Sequence, residues 1–62
     1  MKMYNLTTFW KDKHHKNEFA TMGNLLYALS IYYDHPDFVS AVVWVDDENG
    51  FEHIVFEIEK EE

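Results

Sequence analysis

The segment KDKHHKN, residues 11–17, contains three of the chain's five lysines and two of its four histidines. Histidine nitrogens bind divalent metals and lysines attract phosphate, so this composition suggests a metal site or a nucleic-acid arm. A zinc site, however, needs three or four converging ligands, and the side chains of His14 and His15 diverge in an extended chain. Because His35 and His53 belong to other predicted elements, we expect no metal site and no cofactor, and predict that the segment is a cationic hairpin turn.

A second candidate for chemistry is His53, which the predicted register of the C-terminal hairpin places opposite Asp46. A histidine beside a carboxylate provides two members of a catalytic relay. No serine or threonine is placed as a nucleophile, and nothing in the sequence indicates an oxyanion hole. We therefore expect a cross-strand contact and a protein that is not an enzyme. Catalysis would require a pocket at the seam of a dimer, lined by His53 and acidic side chains.

Charge is distributed unevenly along the chain. The net charge of −7 divides into +2 for residues 1–33 and −9 for residues 34–62. The acidic half repels phosphate, so we expect no binding to nucleic acid. The acids either form a solvated edge or imitate DNA phosphates and block a nucleic-acid-binding enzyme. The acids considered for this role are Asp46, Asp47, Glu48, Glu52, Glu57, Glu59, Glu61 and Glu62.

Length and composition predict one small domain over residues 1–62. A chain of 62 residues has a thin core, but 47% apolar and 18% aromatic residues are enough for it to fold. The absence of cysteine excludes disulfides and a cysteine nucleophile. There is no apolar run of the length of a signal peptide or a membrane span, so the sequence predicts a cytoplasmic protein with no membrane partner.

The N-terminal half predicts a hairpin followed by a helix. Residues 3–10 have the alternation and residue types of a strand, and residues 17–20 can pair with it across a turn centred on Lys13-His14. Thr21 suits a helix N-cap and Pro36 prevents the helix from continuing. Between them, apolar residues recur at steps of three and four: Met22, Leu25, Leu26, Leu29, Tyr32 and Tyr33.

The C-terminal half predicts a second hairpin, with a two-residue type I′ turn at Asn49-Gly50. This turn places Trp44 opposite Val55 and makes one face of the hairpin apolar. The residues of that face are Val39, Ala41, Val43, Val45, Ile54, Phe56 and Ile58. The predicted class is therefore α+β, with the order ββαββ, or βαββ if residues 17–20 do not pair. It has an antiparallel-rich sheet with one helix packed on one face.

The opposite face of this sheet also has large apolar side chains. A sheet face in water is normally polar, and one helix covers only one face. Either the aromatic side chains shield one another beneath a loop, or the face is an interface with a second copy or a different protein. The leading hypothesis is a non-enzymatic interaction module that forms a homodimer, the commonest kind of oligomer, and the alternative is the acidic inhibitor. The predicted interface residues are Phe9, Val42, Trp44, Phe51, His53 and Val55.

Overall fold

A computed structural model describes residues 3–60 as a four-stranded antiparallel sheet with one helix. The elements are β1 (Tyr4–Trp10), β2 (His14–Phe19), α1 (Met22–Tyr33), β3 (Phe38–Asp46) and β4 (Glu52–Glu59). The strand order is β2-β1-β3-β4, and α1 packs over β1 and β2. The predicted α+β class and the ββαββ order are confirmed, because β2 does pair with β1.

The first hairpin turns earlier than the sequence predicts. The amide of Trp10 donates to the carbonyl of Lys13 over 2.8 Å, so residues 11–13 form the turn. Phe9 then lies opposite His14, and the pairing is shifted by four residues from the expected one. An even shift leaves every side chain on its predicted face. The two histidines of the segment therefore belong to a strand and point to opposite faces of the sheet.

The helix begins as predicted but buries a narrower stripe. The hydroxyl of Thr21 accepts a hydrogen bond from the amide of Asn24 at 3.1 Å and so caps the first turn. Leu25 and Leu29 are buried, whereas Leu26 is 45% exposed. A helix of 12 residues is not stable alone in water, so its packing on the sheet must stabilise it.

The core lies between α1 and the sheet and is small. Its buried apolar residues are Leu6, Leu25, Leu29, Phe38, Ala41 and Val43. Trp10 closes one end, with its ring edge-on to Tyr32 at 5.7 Å and to Phe38 at 5.6 Å between centroids. Its indole nitrogen donates to the hydroxyl of Thr8 over 2.9 Å, so this buried polar pair is satisfied.

A β-bulge between β1 and β3 changes which residues at the start of β3 face the helix. Phe9 pairs with Ser40 and Trp10 pairs with Phe38, which leaves Val39 without a partner on β1. Phe38 is consequently 3% exposed and part of the core, while Val39 is 45% exposed. The prediction that Val39 faces the helix is wrong, because the bulge reverses the alternation at the start of β3.

The turn of the second hairpin also differs from the prediction. The amide of Gly50 donates to the carbonyl of Asp47 at 3.1 Å, and the amide of Asp47 donates to the carbonyl of Phe51 at 2.9 Å. Among the described residues only Gly50 has a positive φ, of 85°, so a type I′ turn with Asn49 in the left-handed region is wrong. The loop is therefore three residues long. Next to it, the pairing of β3 with β4 is shifted by one residue from the predicted pairing.

This shift by one residue exchanges the faces of the first residues of β4. Ile54 lies opposite Trp44 and is 66% exposed, not packed against α1 as predicted. A second bulge, at Val55, then cancels the shift. The predicted pairs Val43 with Phe56 and Ala41 with Ile58 are therefore present.

Asn5 is the one buried polar side chain among the described residues that has an atom without a hydrogen-bond partner, its Nδ2. An unsatisfied buried amide costs about 1–3 kcal/mol, so Asn5→Val is expected to raise the free energy of unfolding by about 1 kcal/mol. Urea denaturation followed by circular dichroism measures this. The matched control is Thr8→Val, which removes the acceptor of the Trp10 indole and should lower the free energy of unfolding by a similar amount. A loss of stability in Asn5→Val would contradict the prediction.

Candidate interaction surface

The candidate site is the face of the sheet opposite α1, called here the outer face. Side-chain alternation assigns Asp46 and Glu52, paired at one end of β3 and β4, to this face, together with three further residues of each strand. The register arranges them in three rows that run from β2 to β4: His14, Phe9, Ser40 and Glu59; Lys16, Thr7, Val42 and Glu57; Glu18, Asn5, Trp44 and Ile54. No element within residues 3–60 covers this face, because the single described helix packs on the other one.

An apolar band crosses the outer face diagonally. Phe9 is 40% exposed and Val55, beside Ile54 at the bulge, is 47% exposed. Val42 and Trp44 lie between them and are half-buried. Contiguous apolar patches of this kind on a small protein are typical of interaction sites.

Trp44 is the centre of this surface and is held by two contacts. Its indole nitrogen donates to the hydroxyl of Thr7 on β1 at 3.3 Å. The ammonium of Lys16 on β2 lies 4.3 Å from the ring centroid, in a cation–π contact. The indole therefore reaches from β3 across β1. Asn5, directly opposite Trp44 in the register, is buried.

The predicted interface residues are only partly brought together. Phe9, Val42 and Trp44 share the outer face, and Val55 adjoins it at the bulge. Phe51 lies in the loop before β4. His53 lies opposite Val45, which is on the same face of β3 as the core residue Val43. The placement of His53 on the face of Trp44 is thus wrong. Sequence reasoning missed Ile54, because no glycine or proline signals the bulge beside it.

His53 contacts Asp47 rather than the predicted Asp46. Its Nε2 lies 2.9 Å from one carboxylate oxygen of Asp47. The other oxygen of that carboxylate accepts from the amides of Asn49 at 2.8 Å and Phe51 at 2.9 Å. The hydrogen bond from His53 is the main cause of a lowered pKa of Asp47, followed by the one from Phe51. This arrangement orders the hairpin loop and presents no nucleophile.

A lowered carboxyl pKa in the folded chain stabilises the fold above the unfolded pKa, about 3.9, and this stabilisation is lost as the pH falls through the folded value. Asp47→Asn keeps the oxygen that accepts from the backbone amides but removes the charge. We expect wild type to be more stable than this variant at neutral pH, with the difference shrinking below about pH 4. Urea midpoints measured between neutral and acidic pH give the difference, and His53→Ala should reduce the same pH dependence. A difference that is constant with pH would contradict this.

Two of the clefts in the described part of the chain lie away from the outer face. One, of about 420 Å³, lies between α1 and β4 and is lined by Leu26, Leu29, Ser30, Tyr33, Asp34 and Ile58. The other, of about 280 Å³, is polar and is lined by Trp10, Asp12, Lys13, His15, His35 and Asp37. His15 and His35 thus share a cleft, but His14 and His53 lie outside it. No group of three potential metal ligands occurs within residues 3–60.

Compared with known proteins, the chain has no significant relative: no family model, curated protein or solved structure matches it. In the part of the chain that the structure describes, no helix is long and apolar enough to cross a membrane.

Proposed function

We propose that this protein is a small, non-enzymatic interaction module of the cytoplasm that forms a homodimer through its outer face. The observation that supports this most is the exposed apolar band around Trp44 on a sheet face that no described element covers. A second copy of the chain has the same band, so each copy can bury the other's apolar side chains. Burial of apolar surface is the main source of free energy in such an association.

The small size of the outer face limits the strength of the dimer. Four strands about 4.8 Å apart and about five residues long at 3.4 Å each give a footprint of roughly 300–400 Å² per chain. This is at most about half of the roughly 800 Å² that each partner buries in a standard interface, and is in the range of weak, transient association. The dimer is accordingly weak, with a Kd in the micromolar range.

Sedimentation equilibrium from about 1 μM to about 1 mM tests the proposal. The average mass should rise from that of one chain to that of two across this range, and should fit a single monomer–dimer equilibrium. A mass of one chain at every concentration would overturn the proposal. Higher oligomers without a dimer plateau would also overturn it, because a closed twofold interface stops at two copies.

A second candidate function is inhibition of a nucleic-acid-binding enzyme by mimicry of DNA. The observation that favours it is the pairing of Asp46 with Glu52 directly across the β3–β4 ladder, since like charges in that position destabilise a sheet. Glu57 and Glu59 extend the negative charge along the exposed β4 edge. The predicted contributors Glu61 and Glu62 lie outside the described residues.

This second function is tested by competition. A nucleic-acid-binding protein recovered with the chain from its host should lose the chain when DNA or salt is added. Glu57→Gln and Glu59→Gln together should weaken the complex, and retention of the partner against excess DNA would contradict mimicry.

A further inference from the structure

We infer that the two copies pack outer face to outer face about a twofold axis parallel to the strands, so that β2 of each copy lies over β4 of the other. This inference rests on the proposed homodimer and adds its geometry. The direction of the axis is inferred from the charges at the two ends of the cross-strand rows, because the apolar band alone does not determine it.

Two of the three rows on the outer face have a basic side chain at the β2 end and an acidic side chain at the β4 end. The row of Lys16 ends at Glu57, and the row of His14 ends at Glu59. All four side chains are exposed, and the residues between them are uncharged. The β2 edge of the outer face is therefore basic over these rows and the β4 edge is acidic.

Aligned sheets that pack face to face allow two simple directions for the twofold axis. An axis parallel to the strands exchanges the two edges but keeps each row at its level, so Lys16 lies across from Glu57 of the other copy. An axis perpendicular to the strands keeps the edges in place, so the acidic edge lies on the acidic edge. The first direction pairs a basic side chain with a carboxylate in both rows. The second places Lys16 on Lys16 and Glu57 on Glu57, and its one opposite pair is His14 with Glu18.

The distances across the interface suit these pairs. Packed sheets are about 10 Å apart, and the side chains of lysine and glutamate extending from opposite sheets together span this gap. The pairs lie at the rim of the apolar band, where charged residues of interfaces usually occur. The arrangement thus gives an apolar centre and a complementary rim.

Lys16 has a competing contact in the single chain, because its ammonium rests 4.3 Å from the centroid of the Trp44 ring. When it turns to the carboxylate of the other copy, it exchanges a cation–π contact for an ion pair. The same movement uncovers the indole, which is then free to pack against the second sheet. The monomer thereby shields the residue that the dimer buries.

This geometry is tested by exchanging the charges of Lys16 and Glu57 and measuring the Kd by sedimentation equilibrium. Lys16→Glu and Glu57→Lys each place like charges across both symmetric contacts, and each should raise the Kd about tenfold. The doubly exchanged chain regains opposite charges and should return to within about threefold of wild type. Lys13→Glu, in the turn outside the interface, changes the net charge as Lys16→Glu does and should leave the Kd within about threefold.

The Glu57→Lys variant is the sharpest measurement, because it brings the net charge of −7 closer to zero. If overall repulsion controlled association, this variant would dimerise more tightly, whereas the inferred geometry requires it to dimerise more weakly. Wild-type dimers whose Kd is unchanged or lowered by Glu57→Lys would overturn the geometry and leave the homodimer standing. A wild type that is monomeric throughout would overturn both. Circular dichroism of each variant establishes that it is folded.

Discussion

Replacement of Leu25 by alanine is expected to lower the free energy of unfolding by about 3 kcal/mol. Leu25 is 0% exposed and lies in the core cluster between α1 and the sheet. Its truncation loses the transfer free energy of the side chain and leaves a cavity that the surrounding side chains fill only partly. A chain of this length has a total stability of roughly 3–9 kcal/mol, so the variant should lose about a third of that stability or more. Urea denaturation followed by circular dichroism measures the loss.

The next residue provides the matched control. Leu26→Ala makes the same chemical change one position along the helix, at a side chain that is 45% exposed. We expect it to cost less than about 1 kcal/mol, since little apolar surface leaves contact with the core. Equal losses in the two variants would contradict the packing of α1 over β1 and β2.

These two leucines also illustrate what a helical period can and cannot predict. Steps of three and four residues placed both in one apolar stripe, and Thr21 marked the start of the helix correctly. The width of the buried stripe depends on which strands lie under the helix. That choice depends on the strand order β2-β1-β3-β4, which is set by pairings between segments far apart in sequence.

The second hairpin shows how local irregularities limit sequence reasoning. Alternation assigned Val43 and Phe56 to the core correctly, because a turn one residue longer than expected and a bulge at Val55 cancel each other. Between the two irregularities the faces are exchanged, so Ile54 is exposed on the outer face. The side chain of Asp47 satisfies two loop amides, which favours the longer turn over the one that Asn49-Gly50 suggests.

That one apolar face of the sheet is uncovered was easier to predict than which residues form it. Two apolar faces and one helix leave one face uncovered whatever the register, so Phe9, Val42 and Trp44 were placed correctly on the outer face. The charge complementarity of the rows was not predictable, because it depends on the pairing of β1 with both β2 and β3. The strand order therefore determines that the basic and acidic parts of the chain lie at opposite edges of the sheet.

Trp44→Glu is expected to raise the Kd of the proposed dimer at least roughly thirtyfold, since loss of a central interface tryptophan costs about 2 kcal/mol or more. The substitution places a carboxylate in the middle of the apolar band, where association would bury it. The fold should persist, because Trp44 is only half-buried and the new carboxylate lies near the ammonium of Lys16. Sedimentation equilibrium gives the Kd, and circular dichroism shows whether the sheet and helix are retained.

Tyr27→Glu is the control for this substitution. Tyr27 is 72% exposed on α1, on the other side of the sheet, so the same change in charge should leave the Kd within about threefold of wild type. A dimer that resists Trp44→Glu but dissociates with Tyr27→Glu would move the interface to the helix side. The pair of variants therefore distinguishes the outer face from the helix side of the molecule, because each places a carboxylate on only one of them.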